Sequence, residues 1–207
     1  MSTMPVRVAV LGSTRGSDLQ PIIDALEAKS LTGIEIPLVL SNVEDSGILA
    51  RAKRHGLNAV FLNPKGVKRV DYDAQVSDLL EGHAVDLVLL IGYMKLMSEG
   101  FVERWRNRVM NIHPSLLPAF AGGIDLNVHE AVLERGCKLT GASLIFIDEG
   151  ADTGPIISQE ALPVLNDDTV DTLKAKVQAA EGRLLIQALE WWRDGRISVK
   201  GTRVFIE

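Results

Sequence analysis

Apolar and polar positions follow two rhythms along this chain, and the change from one to the other marks out its elements. Residues 6–11 are mostly apolar and β-branched and end at GSTRGS, after which Leu19, Ile22, Ile23 and Leu26 recur at helical spacing. Residues 34–40 read as a second strand. Asp45 or Ser46 can cap a helix that runs to His55 and closes at Gly56, and residues 59–62 form a short third strand. Residues 71–82 predict a helix with Tyr72, Val76, Leu79 and Leu80 on one side. The run 85–91, apolar but for Asp86, then suits the middle of a parallel sheet. This half reads βαβαβαβ.

A short helix from about Ser98 leads to a strand over 108–113, and NVHEAVLERG from Asn127 is a helix stopped by Gly136. LTGASLIFID and GPIISQEALPV are strand-like, and the loop 149–153 between them makes an antiparallel pair. A long helix follows, capped by Asp167, Asp168 or Thr169 and carrying Val170, Leu173, Val177, Leu184 and Ala188. RISVKGTRVFIE closes as a hairpin turning at Lys200 and Gly201. The fold class is therefore α/β: an open, mostly parallel twisted sheet with helices on both faces and antiparallel strands in the C-terminal part. With no repeat or linker, residues 1–207 read as one unit, with a nucleotide- or phosphate-binding half over 1–107 and a catalytic half over 108–207.

Composition narrows the function more than the fold. Of the 207 residues 46% are hydrophobic and 24% charged, an ordinary globular balance, and a net charge of −5 argues against a broad nucleic-acid or anionic-membrane surface. Cys137 is the only cysteine, so no intramolecular disulfide forms, no zinc-ligand cluster is expected and a reducing cytoplasm fits. The six residues before Gly12 are too short a run for a signal or spanning segment.

Five stretches could carry chemistry, and NIHPSLLP (111–118) is the centre. Pro114 stops the strand near His113, so Asn111 and His113 share a face while Ile112 points into packing, at the carboxyl edge where open α/β sheets bind ligands. GSTRGSD (12–18) joins a strand to a helix and suits an anion. A plain glycine turn, with Ser17 or Asp18 capping the helix, fits it equally well, and a carboxylate at 18 sits badly beside a phosphate. IGYMKLM (91–97) lines an aromatic slot or is simply core. DEGADTG (148–154) offers a carboxylate to orient His113, or is a solvated acidic loop. In the long helix Gln178 and Glu181 share a face, and Glu181 interrupts the apolar stripe, so its carboxylate is directed inward toward an amine-bearing ligand or an internal arginine. His55 and His83 read as surface residues, His129 as facing either site or solvent. Ser115 lacks the strand-turn-helix setting of a nucleophile.

With these motifs in place, the chain resembles the folate-dependent formyltransferases over nearly its whole length, and within them the phosphoribosylglycinamide formyltransferases. NIHPSLLP is shared across that superfamily. GSTRGSDLQ, IGYMKLM, LPAFAGGIDLNVHEAVLERG, DEGADTGPII and VQAAEG narrow the resemblance to the purine branch. It implies a Rossmann-like formyltransferase fold, 10-formyltetrahydrofolate as cosubstrate with no metal, and glycinamide ribonucleotide as acceptor, in a cytoplasmic monomer or homodimer. It also implies a catalytic trio of Asn111, His113 and Asp152, with Asp152 keeping His113 charged while His113 and Asn111 stabilise an oxyanion. Gly16, Ser17 and Asp18 would lie at the ribose phosphate, Gln178 and Glu181 near the glycinamide, and Met94, Lys95, Leu96 and Met97 along the folate pocket. Asp18, where asparagine is usual, and Ile145 and Gly182, where histidines are usual, depart from the pattern. Formyl transfer to another amine, hydrolysis of the formyl-folate, and a binding module without catalysis are the other readings.

Overall fold

A computed structural model describes residues 4–122 and 127–207; part of the segment LPAFAGGIDLNVHEAVLERG thus lies outside the described residues. The strands β1 (Val6–Leu11), β2 (Ile34–Ser41), β3 (Ala59–Phe61), β4 (Leu87–Leu90), β5 (Val109–His113), β6 (Leu139–Phe146) and β7 (Ile156–Pro163) build one sheet in the order β3-β2-β1-β4-β5-β6-β7. β1 to β5 run parallel, whereas β5–β6 and β6–β7 are antiparallel, as the change of pattern after residue 136 predicts. The strand order reverses between β1 and β4, which opens a crevice at their carboxyl ends.

Two hydrophobic layers hold helices on the two faces. One buries Ile22 and Ile23 of α1 (Leu19–Glu27), Ile48 and Leu49 of α2 (Gly47–Arg54), and Val177, Leu184 and Leu185 of α6 (Val170–Arg193) against β1, β2, β4 and β6. The other buries Tyr72, Val76 and Leu80 of α3 (Arg69–Gly82) and Phe101 of α4 (Glu99–Arg104), with Trp105 just beyond it. The predicted stripe of the third helix is thus the one that packs, with Leu79 at its margin. α5 (Val128–Glu134) lies against α6, and β8 (Ile197–Lys200) pairs with β9 (Arg203–Ile206) as the closing hairpin.

Caps decide two boundaries. Thr169 begins α6 through a reciprocal capping box with Thr172, settling the choice among the three candidates there. Asp18 occupies the cap position of α1 but makes no side-chain cap bond, because its carboxyl turns away toward α6. The 85–91 strand is shorter than its apolar run, since Val85, Asp86 and Ile91 are buried or tied down without joining a ladder. Among the described residues no helix is long and apolar enough to cross a membrane.

Candidate active site

Three loops meet over the crevice. The turn after β5 is fixed by the sheet beside it: the fully buried Ser143 Oγ donates to the Ser115 carbonyl at 2.7 Å and accepts from Leu117 N–H at 2.9 Å, and Gln159 Nε2 adds a bond to the Leu117 carbonyl at 3.1 Å. With the chain after Pro114 pinned this way, His113 and Asn111 emerge on the same side, as an extended strand end requires.

Asp152 comes to meet them. Its Oδ2 lies 3.4 Å from His113 Nε2 and accepts from Gly122 N–H at 3.0 Å, while Oδ1 accepts from Asn111 Nδ2 at 3.4 Å. The loop that carries it folds around Asp148 Oδ1, which accepts from Gly150 N–H at 3.0 Å and Thr153 Oγ1 at 2.7 Å, and Arg106 ties Glu149 down at 2.5 Å. Asp152 itself has φ +59°, a left-handed conformation that aspartate tolerates better than most side chains.

The other face of the His113 ring is held by Ser115. Ser115 Oγ sits 3.0 Å from Nδ1 and donates its single proton to the Ala119 carbonyl at 2.5 Å. Its oxygen is therefore free only to accept, which places a hydrogen on Nδ1 and leaves Nε2 facing Asp152. Burial pushes the imidazolium below its ordinary range, and the Asp152 charge only partly opposes it. The expected charge on His113 is thus favoured by Asp152 and opposed by burial, with burial the larger influence in the free site.

A cleft of about 780 Å³ joins this trio to the remaining expected residues. At one end Met94 and Leu96 are 47% and 48% exposed beside Leu90, Ile145 and Ile147. Lys95 and Met97 also border the cleft, Lys95 over the Tyr72 ring at 5.0 Å and Met97 packed against the core. Apolar side chains held in the open beside buried ones suit a flat ring system. Ile145 stands directly opposite Asn111 in the β5–β6 register, so it adds an apolar wall rather than a titratable group.

At the other end lie Ser17, Asp18, Gln178 and Glu181, with Gln178 Nε2 donating to Ser17 Oγ at 2.8 Å. Gly16 lies between Arg15 and Ser17, which both border the cleft. It turns at φ +59° behind the loop, where a Cβ would lie 2.7 Å from Ile48 Cβ. Glu181 borders this end of the cleft, and the charge that acts on it most is the Asp18 carboxyl rather than an arginine. Both are buried, at 5% and 9% exposure, and burial raises the two acids. Gly182 lets α6 approach α1, where an added Cβ would meet Pro21 Cγ at 2.8 Å. His129 faces the site: it is buried, borders the cleft, and is pushed down by burial and then by Lys174.

Sequence reasoning missed the part played by Ser115 and overlooked Ser13. Ser13 donates to Asn42 Oδ1 at 2.6 Å, accepts from Met94 N–H at 2.8 Å and sends its own N–H to the Gly92 carbonyl at 2.9 Å. Nothing in the linear pattern marks it, since all three partners arrive from other strand ends.

An open α/β sheet with an amide, an imidazole and a carboxylate gathered at its carboxyl edge, between an apolar slot and a glycine loop, defines a class. The family model described as formyl transferase matches residues 6–189, and the chain belongs to that family. Within it the chain falls among the phosphoribosylglycinamide formyltransferases: it is 33% identical over 202 residues to the enzyme of that name from Haemophilus influenzae, covering 97% of this chain and 93% of that one. The crystal structure of glycinamide ribonucleotide transformylase 1 from Symbiobacterium toebii superimposes with a TM-score of 0.92 at 37% identity, over 99% of this chain and 95% of that one. The human trifunctional purine biosynthetic protein adenosine-3 is 40% identical over 194 residues, of which this chain spans 19% of the length.

Proposed function

We infer that this protein transfers the formyl group of 10-formyltetrahydrofolate to the primary amine of glycinamide ribonucleotide, a step of purine biosynthesis. The observation that carries the reading is the convergence of Asn111 and His113 on Asp152 midway along a cleft that is apolar at one end and polar at the other. When bound, 10-formyltetrahydrofolate supplies an electrophilic formyl carbon and leaves as tetrahydrofolate once its N10 has gained a proton. Met94 and Leu96 would hold its ring system, for which their exposed apolar surface is suited.

The work of the trio follows from its hydrogen bonds. Asn111 spends one amide hydrogen on Asp152 and keeps the other for the oxygen that gains negative charge as the amine attacks. His113 begins neutral, with its Nε2 lone pair free to take the proton the attacking amine must lose. Once there, that proton lies against Asp152 Oδ2, and the positive ring adds its charge to the Asn111 amide beside the developing oxyanion. Passing the proton onward to the leaving nitrogen returns His113 to its starting form. The polar end, with Ser17 and Gln178, would receive the ribose phosphate of the acceptor in a cytoplasmic enzyme.

A formyl-transfer assay across a panel of amine acceptors, with one reaction lacking any acceptor, tests this. Tetrahydrofolate release should depend on glycinamide ribonucleotide, and His113→Ala or Asn111→Ala should each lower kcat by roughly 100-fold to 1000-fold. Equal release without an acceptor would make the protein a hydrolase instead.

A further inference from the structure

We propose that Asp18 and Glu181 make binding of a phosphate-bearing acceptor conditional on a proton held between them. This deepens the transferase reading and rests on it for the acceptor's identity. The two carboxyls come from opposite ends of the chain, one at the start of α1 and one in the middle of α6, and meet at the polar end of the cleft. They are 9% and 5% exposed, and the Ser17–Gln178 hydrogen bond and the approach of Gly182 to Pro21 hold their two elements together there, so a second negative charge on the pair is disfavoured and a proton between the two is favoured. Among the described residues Asp18 Oδ1 has no hydrogen-bond partner, and Asp18 borders the cleft.

A phosphate placed on the loop before α1 would find donors there. The Ser17 N–H has no acceptor among the described residues, Ser17 Oγ is oriented by Gln178, and the nine-residue helix presents its positive end. Such an anion would lie close to Asp18. Arg51 on α2 and Lys174 on α6 act on the pair, and Arg15 on the same loop, Asp45 on the turn before α2 and His129 on α5 border the same cleft. Arg51 acts on Asp18, and its Nε is buried without a partner; Lys174 acts on both Glu181 and His129. The three cations draw the anion in and Asp45 opposes it. The outcome turns on whether the pair brings a single negative charge or two. A phosphate dianion beside a fully ionised pair is repelled at short range, so an ionised pair has to take up a proton before the phosphate can settle. Burial already raises both acids, and the arriving anion raises them further.

His129 does not obscure this linkage above neutrality, because burial moves its titration down from 6.5. The phosphate is itself a dianion there, its second ionisation lying near about 6. Ribose 5-phosphate is the probe, since it carries the anion and the ring but neither the amine nor any need for folate. Its binding should be followed by calorimetry from about pH 7 to about pH 9 in buffers of different ionisation enthalpy, for the native protein, Asp18→Asn and Glu181→Gln. Native binding should take up a proton and weaken by up to about tenfold for each pH unit above the onset of ionisation. Both substitutions should abolish the uptake, and Asp18→Asn should bind about tenfold or more tightly than the native protein near pH 9. Enthalpies that ignore the buffer, a pH-independent native affinity, or no binding of ribose 5-phosphate at all would overturn the proposal. So would an Asp18→Asn protein that binds more weakly than the native one at every pH. The two readings fail separately: formyl transfer without proton uptake removes this inference alone, whereas proton uptake in a protein that transfers no formyl group removes only the assigned reaction.

Discussion

His113 is held by two neighbours that do different work. Asp152 offers a place for an incoming proton, while Ser115 fixes which nitrogen already has one. Ser115 touches no reacting atom in this arrangement; it positions the ring. Ser115→Ala should therefore lower kcat by up to about 100-fold through a misaimed imidazole, with KM for both substrates nearly unchanged. The pH profile of kcat should also shift, because a ring without its Nδ1 acceptor no longer has a fixed tautomer. Steady-state kinetics from acid to alkaline pH would check both, and an unchanged profile would reduce Ser115 to a packing residue. Asn111 and His113 were legible in the sequence because a proline after a strand end leaves little freedom in where they point. The charge on His113 was not, since it depends on burial by loops distant in the chain. Glu181 shows the same limit: its break in the apolar stripe gave its direction, but its partner, Asp18, lies near the other end of the chain.

At the scale of elements, β6 does more than complete the sheet. Ser143, in its middle, replaces a missing turn bond by joining Ser115 and Leu117 of the segment after β5. Ser143→Ala strands the Leu117 N–H and removes one partner from Gln159, a loss of about 1–3 kcal/mol measurable in chemical denaturation. Activity should fall by more than that loss of stability explains, because the same turn aims His113. A fully active, merely less stable variant would show that the turn holds its shape without β6. The strands and helices themselves were readable from apolar rhythm, since each buries one stripe against one sheet face. Their ends were less so: β4 stops within a longer apolar run, because Ile91 bends into a loop that serves the cleft rather than a ladder.

The whole molecule is pulled by two opposed sets of buried titratable groups. His113 and His129 are depressed by burial, so the folded state prefers them neutral and the unfolded chain binds more protons in acid. Stability is therefore lost as pH falls from about 6.5 down through their lowered values. Asp18 and Glu181 are raised, so the folded state binds the protons, and stability is lost as pH rises from their ordinary values, 3.8 and 4.5, up through the raised ones. Melting temperature against pH should form a dome. Glu181→Gln should lift its alkaline side more than its acid side, and a uniform shift would contradict the assignment.

Ser13 binds the ends of three strands into one piece: β1, which it follows, β2 through Asn42, and β4 through Gly92 and Met94. The glycine loop at the polar end and the apolar segment at the other are thus not independent receptors. Ordering either one draws the other toward its bound shape, so the two ligands share a coupling free energy that must be the same in both directions. Glycinamide ribonucleotide should bind more tightly to protein saturated with the unreactive product tetrahydrofolate, by roughly 5-fold or more, and tetrahydrofolate should gain by the same factor in return. Ser13→Ala should leave each ligand binding alone while erasing most of that mutual gain. One hydroxyl would then set how far each ligand senses the other.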